Sequence, residues 1–377
     1  MKPRRTSKKK RPRITRTHAN GKALEKEGLR DYALSRGLDL FGVANVGRFK
    51  DAPARMHPAS IFPEARSVIV VGRRILRGGW RGIEEGTHWP SYTHFDYHGL
   101  LNTFFIPLPL YETACFIEDH GYEAVPYYPG VPETQPPAAP LRPGGVAPEV
   151  QLALRIAATA AGLGEIGWSK VFLTRKFGPR QRLAAILTDL ELEPDPLVEP
   201  NSICRLDMAC VEGCPDAIPH VREGKFVEIT IEDKTYRWAD VHFGRCVLAY
   251  HGGDPRVSPF IPHSLPGYRF DVAQQDLSEE AAYKLCWTLS LGGWRRTEEF
   301  PSGYIIEGHA YLARWGDAGS YGIGGSRGCM RSCFNYLEKN GLIEQTFKGG
   351  PFIRRPRWLL DAEGKLAKEV PSDTPPA

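Results

Sequence analysis

Along the first half of the chain, apolar residues alternate between two rhythms. Over Lys22–Gly37 they recur at helical spacing, with Leu24, Leu29, Tyr32, Ala33 and Leu34 on one side. This predicts a helix that ends at Gly37. Asp39–Val43 (DLFGV) then predicts a strand. Ser67–Val71 (SVIVV), closed by Gly72, is an unbroken β-branched run, the pattern of a strand covered on both faces. Leu100–Asp119 returns to helical spacing. A break is expected there at Pro107 and Pro109, because proline lacks the amide donor and clashes with the preceding turn. Pro126–Pro148 holds eight prolines and three glycines and predicts a loop, long enough to suggest function. Val150–Leu163 predicts an amphipathic helix and Gln181–Leu190 (QRLAAILTDL) a strand.

Beyond Pro200 the pattern changes to short, turn-rich pieces that carry cysteines, which places a domain boundary near Pro194–Asn201. Asp254–Tyr321 has mixed helical signals and reads as an insertion. No repeat of fixed period is present apart from two cysteine motifs. The order of elements predicts an α/β (α+β) domain followed by a small metal-binding domain. The expected partition is a basic tail over 1–20, the α/β domain over 21–199, the metal domain over 200–340 with its insertion at about 254–321, and an extension over 341–377.

Composition adds little until charge is divided along the chain. A 42% hydrophobic, 25% charged chain of 377 residues is an ordinary globular protein, long enough for two or three domains. No apolar run approaches the ~18 residues of a bilayer span, so no transmembrane segment is expected. Met1–Arg16 holds nine Lys and Arg and no acid; without them the net +5 becomes about −4. Arg4–Arg5 resembles a twin-arginine export signal, but Lys8–Arg13 follows where an apolar stretch is needed. The expectation is a solubilising basic tail on a cytoplasmic protein, with a phosphate-binding arm as the alternative.

The chemistry sits in the cysteines, at 115, 204, 210, 214, 246, 286, 329 and 333. Clustered thiols without a secretory signal read as metal ligands before disulfides. Ile203–Pro215 (ICRLDMACVEGCP) matches the ferredoxin run C-x2-C-x2-C-x3-C-P at Cys204, Cys210, Cys214 and Pro215, with Asp207 at the second position. Ser326–Phe334 (SRGCMRSCF) matches C-x2-C-x3-C-P, with Ser326 for the first cysteine and Phe334 for proline. Cys246 is the natural remaining ligand. In the crossed ferredoxin pattern one cluster takes Cys204, Asp207, Cys210 and Cys333, and the other Cys214, Cys246, Ser326 and Cys329. Two 4Fe-4S clusters are therefore expected. An oxygen ligand holds iron less firmly than thiolate, which leaves open 3Fe-4S clusters, one labile iron per cluster, or replacement by Cys286. Zinc and buried structural thiols are the competing readings; zinc favours paired C-x2-C knuckles, and none occurs here. Cys115 lies in an apolar helical context and reads as core.

Immediately upstream, Ala161–Leu190 reads AGLGEIGWSKVFLTRKFGPRQRLAAILTDL. This resembles the corrinoid-dependent reductive dehalogenases and, more distantly, the epoxyqueuosine reductases. Thr174, Gly178, Pro179, Arg180, Arg182, Thr188 and Asp189 match the dehalogenase pattern, with Phe177 in place of Tyr. Asp96–Tyr97–His98 and Gly121–Tyr122 also fit, and the resemblance covers most of 24–250 and 320–340. It implies a nitroreductase-like cobalamin-binding domain followed by a ferredoxin-like iron–sulfur domain, with cobalamin as a further cofactor. Gly162, Gly164 and Gly167 would let the backbone approach a planar cofactor, with Arg180 beside it; a tight turn between helix and strand explains the same glycines.

The resemblance further implies reductive cleavage of a small-molecule substrate, such as an organohalide, fed by an external low-potential donor of the ferredoxin or flavodoxin type. Proton-donor candidates are Tyr97, Tyr127 and Tyr128, with Arg182 or Arg180 as positive partner and Asp96 as the runner-up acid. Strand alternation places Arg180 and Arg182 on one face, opposite Gln181. Nucleic acid is not an expected partner. The rivals are an epoxyqueuosine reductase-like enzyme acting on tRNA, and an iron–sulfur electron carrier without corrinoid.

Overall fold

The computed structural model describes residues 24–85, 87–88, 91–97, 100–127, 139–148, 150–250, 254, 272–274, 277–278, 280–282, 327–349, 357–360 and 366–370. Helix α1 (Lys26–Ser35) buries Leu29 and Ala33 and stops just before Gly37. Strand β1 (Leu40–Asn45), the four-residue helix α2 (Pro58–Ile61), strand β2 (Ser67–Arg74) and helix α3 (Trp80–Glu85) follow. Where one kinked helix was expected, π-helical turns at Ser91–Tyr97 and Leu101–Phe105 precede a separate helix α4 (Pro107–Asp119). Pro107 starts this helix, since at the first position its missing N–H is no loss.

Strand β3 (Ala124–Tyr127), helix α5 (Leu154–Ala160), the short pair β4 (Glu165–Ile166) and β5 (Phe172–Leu173), and strand β6 (Gln181–Thr188) complete this half. The main sheet has the order β1-β2-β6-β3, and every neighbouring pair is antiparallel. The class is thus mixed α and β, with no parallel strand pair among the described residues. Alternation sends Ile69, Val71, Ala184 and Ile186 to one face, where they join core residues of α1 and α4. Val68, Val70, Ala185 and Leu187 go to the other, packed with α5. A strand buried on both faces explains the unbroken apolar run of β2.

Helix α6 (Ala209–Glu212), the hairpin β7 (Phe226–Ile231) and β8 (Lys234–Ala239), helix α7 (Phe243–Tyr250) and helix α8 (Cys329–Lys339) form the second half, followed by the hairpin β9 (Arg357–Leu360) and β10 (Leu366–Val370). Ile203, Cys204, Cys210, Met330, Cys333 and Phe334 belong to the same core as α1 and α4. One apolar core therefore runs across the Pro194–Asn201 boundary. Ile231, Tyr236 and Trp238 pack into the other core, so the β7–β8 hairpin folds back on the first half. Most of the expected insertion at 254–321, with Cys286, lies outside the described residues, as do Tyr128, His98 and Ser326.

Candidate functional site

Cys204 sits on the loop before α6, Cys210 within it and Cys214 just after it; Cys246 is on α7. Cys329 and Cys333 stand one turn apart on α8, where residues four apart share a face. Burial pushes all six thiols up, Cys214 to about 12. The neighbours that add to this rise sort the thiols. Around Cys333 they are Cys210, Cys204 and Asp207, then Cys329. Around Cys329 they are Cys214 and Cys246, then Cys210. The fold thus brings together Cys204, Asp207, Cys210 and Cys333, and beside them Cys214, Cys246 and Cys329. No three His, Cys, Asp or Glu side chains among the described residues are spaced to hold a single metal ion. A cluster is larger than one ion and keeps its thiolates further apart, so buried and half-buried thiols in two adjoining sets fit iron–sulfur ligation in donor type.

Backbone amides attend these sulfurs. Trp168 N donates to Cys204 Sγ and Ala217 N to Cys214 Sγ, each at 3.4 Å. Asp207 Oδ1 accepts from Ala209 N at 2.8 Å, at the start of α6. On either side of it, Leu206 and Met208 take positive φ of 53° and 63°. Non-glycine residues hold that region at a cost of about 1–3 kcal/mol each, and such strain concentrates at functional sites.

The glycine turn is packed on the chain itself. Gly162 takes φ +69°, and a Cβ there would run into the Pro196 carbonyl; one at Gly164 would run into the Leu173 carbonyl. Gly167 lies against the Leu173 side chain. A tight helix-to-strand turn therefore accounts for all three glycines, and their open sides are filled without a cofactor.

Arg180 is buried as well. It donates to the Ile75 carbonyl at 2.6 Å and to Gln345 Oε1 at 2.5 Å, and its guanidinium stacks 4.6 Å from the Phe334 ring centroid. Burial pulls its pKa down to about 10. Arg182 donates from Nε to Asn102 Oδ1 at 3.1 Å. Gln181, between them, turns to the β5 side and donates to the Phe172 carbonyl at 2.8 Å. Tyr97 ends a π-helical turn, and its side chain is not among those described. Tyr127 ends β3 half-buried, and burial raises its phenol against the pull of a hydrogen bond at the Leu152 backbone.

Asp96 is 4% exposed. Its Oδ1 accepts from Leu76 N at 3.2 Å, while Oδ2 has no hydrogen-bond partner among the described residues. Burial raises its pKa to about 7, against the pull of Leu76 N–H and of the Arg180 charge. Two buried ion pairs stand nearby and tie α8 to the α3 region: Arg331–Glu84 at 3.0 Å and Arg77–Glu338 at 3.4 Å. Trp80 packs edge-on against Phe334, centroids 5.4 Å apart, within the same contact. Sequence reasoning missed this lattice. Its one local signal is that Arg331 and Glu338 lie two turns apart on α8, and so share a face.

No protein-family model matches the chain. Among curated proteins it is similar to the tetrachloroethene reductive dehalogenase of Dehalobacter restrictus, 33% identical over 168 residues, or 39% of this chain and 30% of that one. A tetrachloroethene reductive dehalogenase of Desulfitobacterium hafniense is 34% identical over 168 residues, with the same coverage. The chain carries a stretch homologous to the reductive dehalogenases. Those relatives are oxidoreductases, and the chain spans about 30% of their length. Among solved structures, a catabolic reductive dehalogenase superposes with TM-score 0.45 at 13% identity, covering 92% of this chain and 42% of that one. The epoxyqueuosine reductase of Streptococcus thermophilus gives TM-score 0.36 at 18% identity, covering 52% and 54%. The sequence similarity is the firmer of these ties.

Proposed function

We propose that the chain is a reductive dehalogenase-like reductase that cleaves a small molecule, an organohalide in the first instance, with electrons passed through two iron–sulfur clusters. The observation that carries this reading is the gathering of six buried or half-buried thiols into two adjoining sets, in a chain homologous in part to reductive dehalogenases. Cys204, Asp207, Cys210 and Cys333 hold one cluster; Cys214, Cys246 and Cys329 hold the other, with Ser326 as the fourth ligand. The clusters, when bound, supply low-potential electron transfer, and an external donor of the ferredoxin or flavodoxin type feeds them.

The chain's own contribution is the proton. Asp96 holds one near neutral pH in a buried site, which suits a general acid. The Arg180 charge then favours the carboxylate left behind. Tyr97, the next residue, is the alternative donor with Arg182 as its positive partner, and Tyr127 and Tyr128 follow. Cobalamin is the further cofactor that the dehalogenase likeness implies. Packing of the Gly162–Gly167 turn and the hydrogen bonds of Arg180 account for those residues without it.

The test is anaerobic reconstitution with iron, sulfide and cobalamin, followed by reduction in the presence of a chlorinated or brominated substrate. Corrinoid uptake with halide release is the expected result. Cluster assembly without any corrinoid uptake would replace this reading with an iron–sulfur electron carrier.

A further inference from the structure

The turn Ala161–Trp168 (AGLGEIGW) carries one buried acid, and that acid is directed at the cysteine loop. Glu165 is 2% exposed. Its Oε1 accepts from Ile203 N at 2.5 Å and from Cys204 N at 2.8 Å, and its Oε2 from Asn201 N at 2.6 Å. Three residues on, Trp168 N donates to Cys204 Sγ at 3.4 Å, and Trp168 Nε1 anchors to the Pro219 carbonyl at 2.9 Å. The turn therefore grips Cys204 at both its amide and its sulfur. Its own shape is fixed by the packing of Gly162 on Pro196 and of Gly164 on Leu173.

We infer that Glu165 is a positioning residue for the cluster on the Cys204 side: it presets residues 201–204 so that Cys204 stands with Cys210 and Cys333, and it places a negative charge beside that ligand. This rests on the cluster reading above. Burial pushes the Glu165 carboxyl up and the three amides pull it back down; only a carboxylate offers acceptors to all three, since a glutamine would turn an NH2 group toward N–H donors. Hydrogen-bond partners behind a metal ligand typically change metal retention ~10–100-fold when removed. A nearby negative charge also disfavours adding an electron, so Glu165 holds this cluster's potential down. Among the described residues Glu165 makes no hydrogen bond to Cys214, Cys246 or Cys329, so iron release from that set should not change and its potential should shift less.

The test compares full-length wild type, Glu165→Gln and Glu165→Asp, each reconstituted anaerobically with iron and sulfide. Iron release to a chelator, redox titration followed by paramagnetic resonance, and thermal unfolding are measured on each. In Glu165→Gln one cluster should be released ~10-fold faster or more, with its potential raised more than the other's and the other's release unchanged. Glu165→Asp keeps the charge but loses reach, so one cluster should again leave faster while its potential stays closer to wild type. If Glu165→Gln does not fold, the Asp variant alone decides: faster loss confined to one cluster supports the inference. Equal loss from both clusters, or a lowered unfolding temperature with release and potentials unchanged, would overturn it and leave Glu165 a packing residue. Wild type that takes up no iron would instead remove the cluster reading itself.

Discussion

Asp207 stands where the ferredoxin spacing has a cysteine, and its charge acts on Cys204, Cys210 and Cys333. An oxygen donor binds iron less firmly than thiolate. Asp207→Cys and Ser326→Cys should each favour a complete four-iron cluster, read as a change in paramagnetic resonance and in iron per chain. Spectra identical to wild type in both variants would show that neither position ligates. Asp96 offers a second test. Its folded pKa near 7 lies above the ordinary 3.8, so between those values the folded chain holds the proton more tightly than the unfolded one. The stability this group contributes is full below its ordinary 3.8 and is lost as pH rises through about 7. Activity that needs the protonated acid should fall over the same upper range. Asp96→Asn should flatten the decline in stability and lower turnover ~100-fold, with cluster content intact. If Tyr97→Phe gives the larger loss and Asp96→Asn almost none, the proton comes from Tyr97. Most of these residues were legible in the sequence because cysteine spacing and a charged residue out of place are local signals. Glu165 was not, because its partners lie 36 to 39 residues away and only the folded chain joins them.

Elements whose pattern is local and strongly periodic were predictable: α1, β1, β2, β6 and α5 all lie within the spans assigned to them or within three residues of those spans. The hairpin β7–β8 escaped because its outer face is exposed and only Ile231, Tyr236, Trp238 and Ala239 of it are buried. The ion pairs between the α3 region and α8 escaped for a different reason, since no periodicity announces which distant charge will be buried opposite. Both side chains of Arg331–Glu84 are almost fully enclosed, at 2% and 1% exposure. Arg331→Met leaves the Glu84 charge buried without the guanidinium opposite it and should cost ~3–5 kcal/mol. The double replacement Arg331→Met with Glu84→Leu should recover much of that loss, because a buried pair exchanged for apolar side chains is often neutral. Denaturant unfolding of the three proteins measures it. A single variant as stable as wild type would contradict this account of how α8 is held.

At the scale of the molecule, the cysteine half is not a separate body appended to the sheet. Its loop, α6 and α8 close the same core as α1 and α4, which puts the thiols within packing reach of the face that bears Arg180 and Asp96. Composition could place a boundary near Pro194–Asn201 but could not reveal that the core crosses it. No helix among the described residues is long and apolar enough to cross a membrane. The basic segment Met1–Arg16 stands apart in charge from an otherwise mildly acidic chain. Deleting it should leave turnover on a small substrate unchanged. A loss of turnover restored only by RNA-bound substrate would favour a tRNA-acting enzyme, whose phosphate contacts would also make binding strongly salt-dependent.

If the six thiols hold two iron–sulfur clusters, metal content reveals it. Protein prepared and analysed without oxygen should carry roughly six to eight irons per chain, with matching sulfide, as two clusters of three or four irons. Stoichiometric zinc with negligible iron would contradict it.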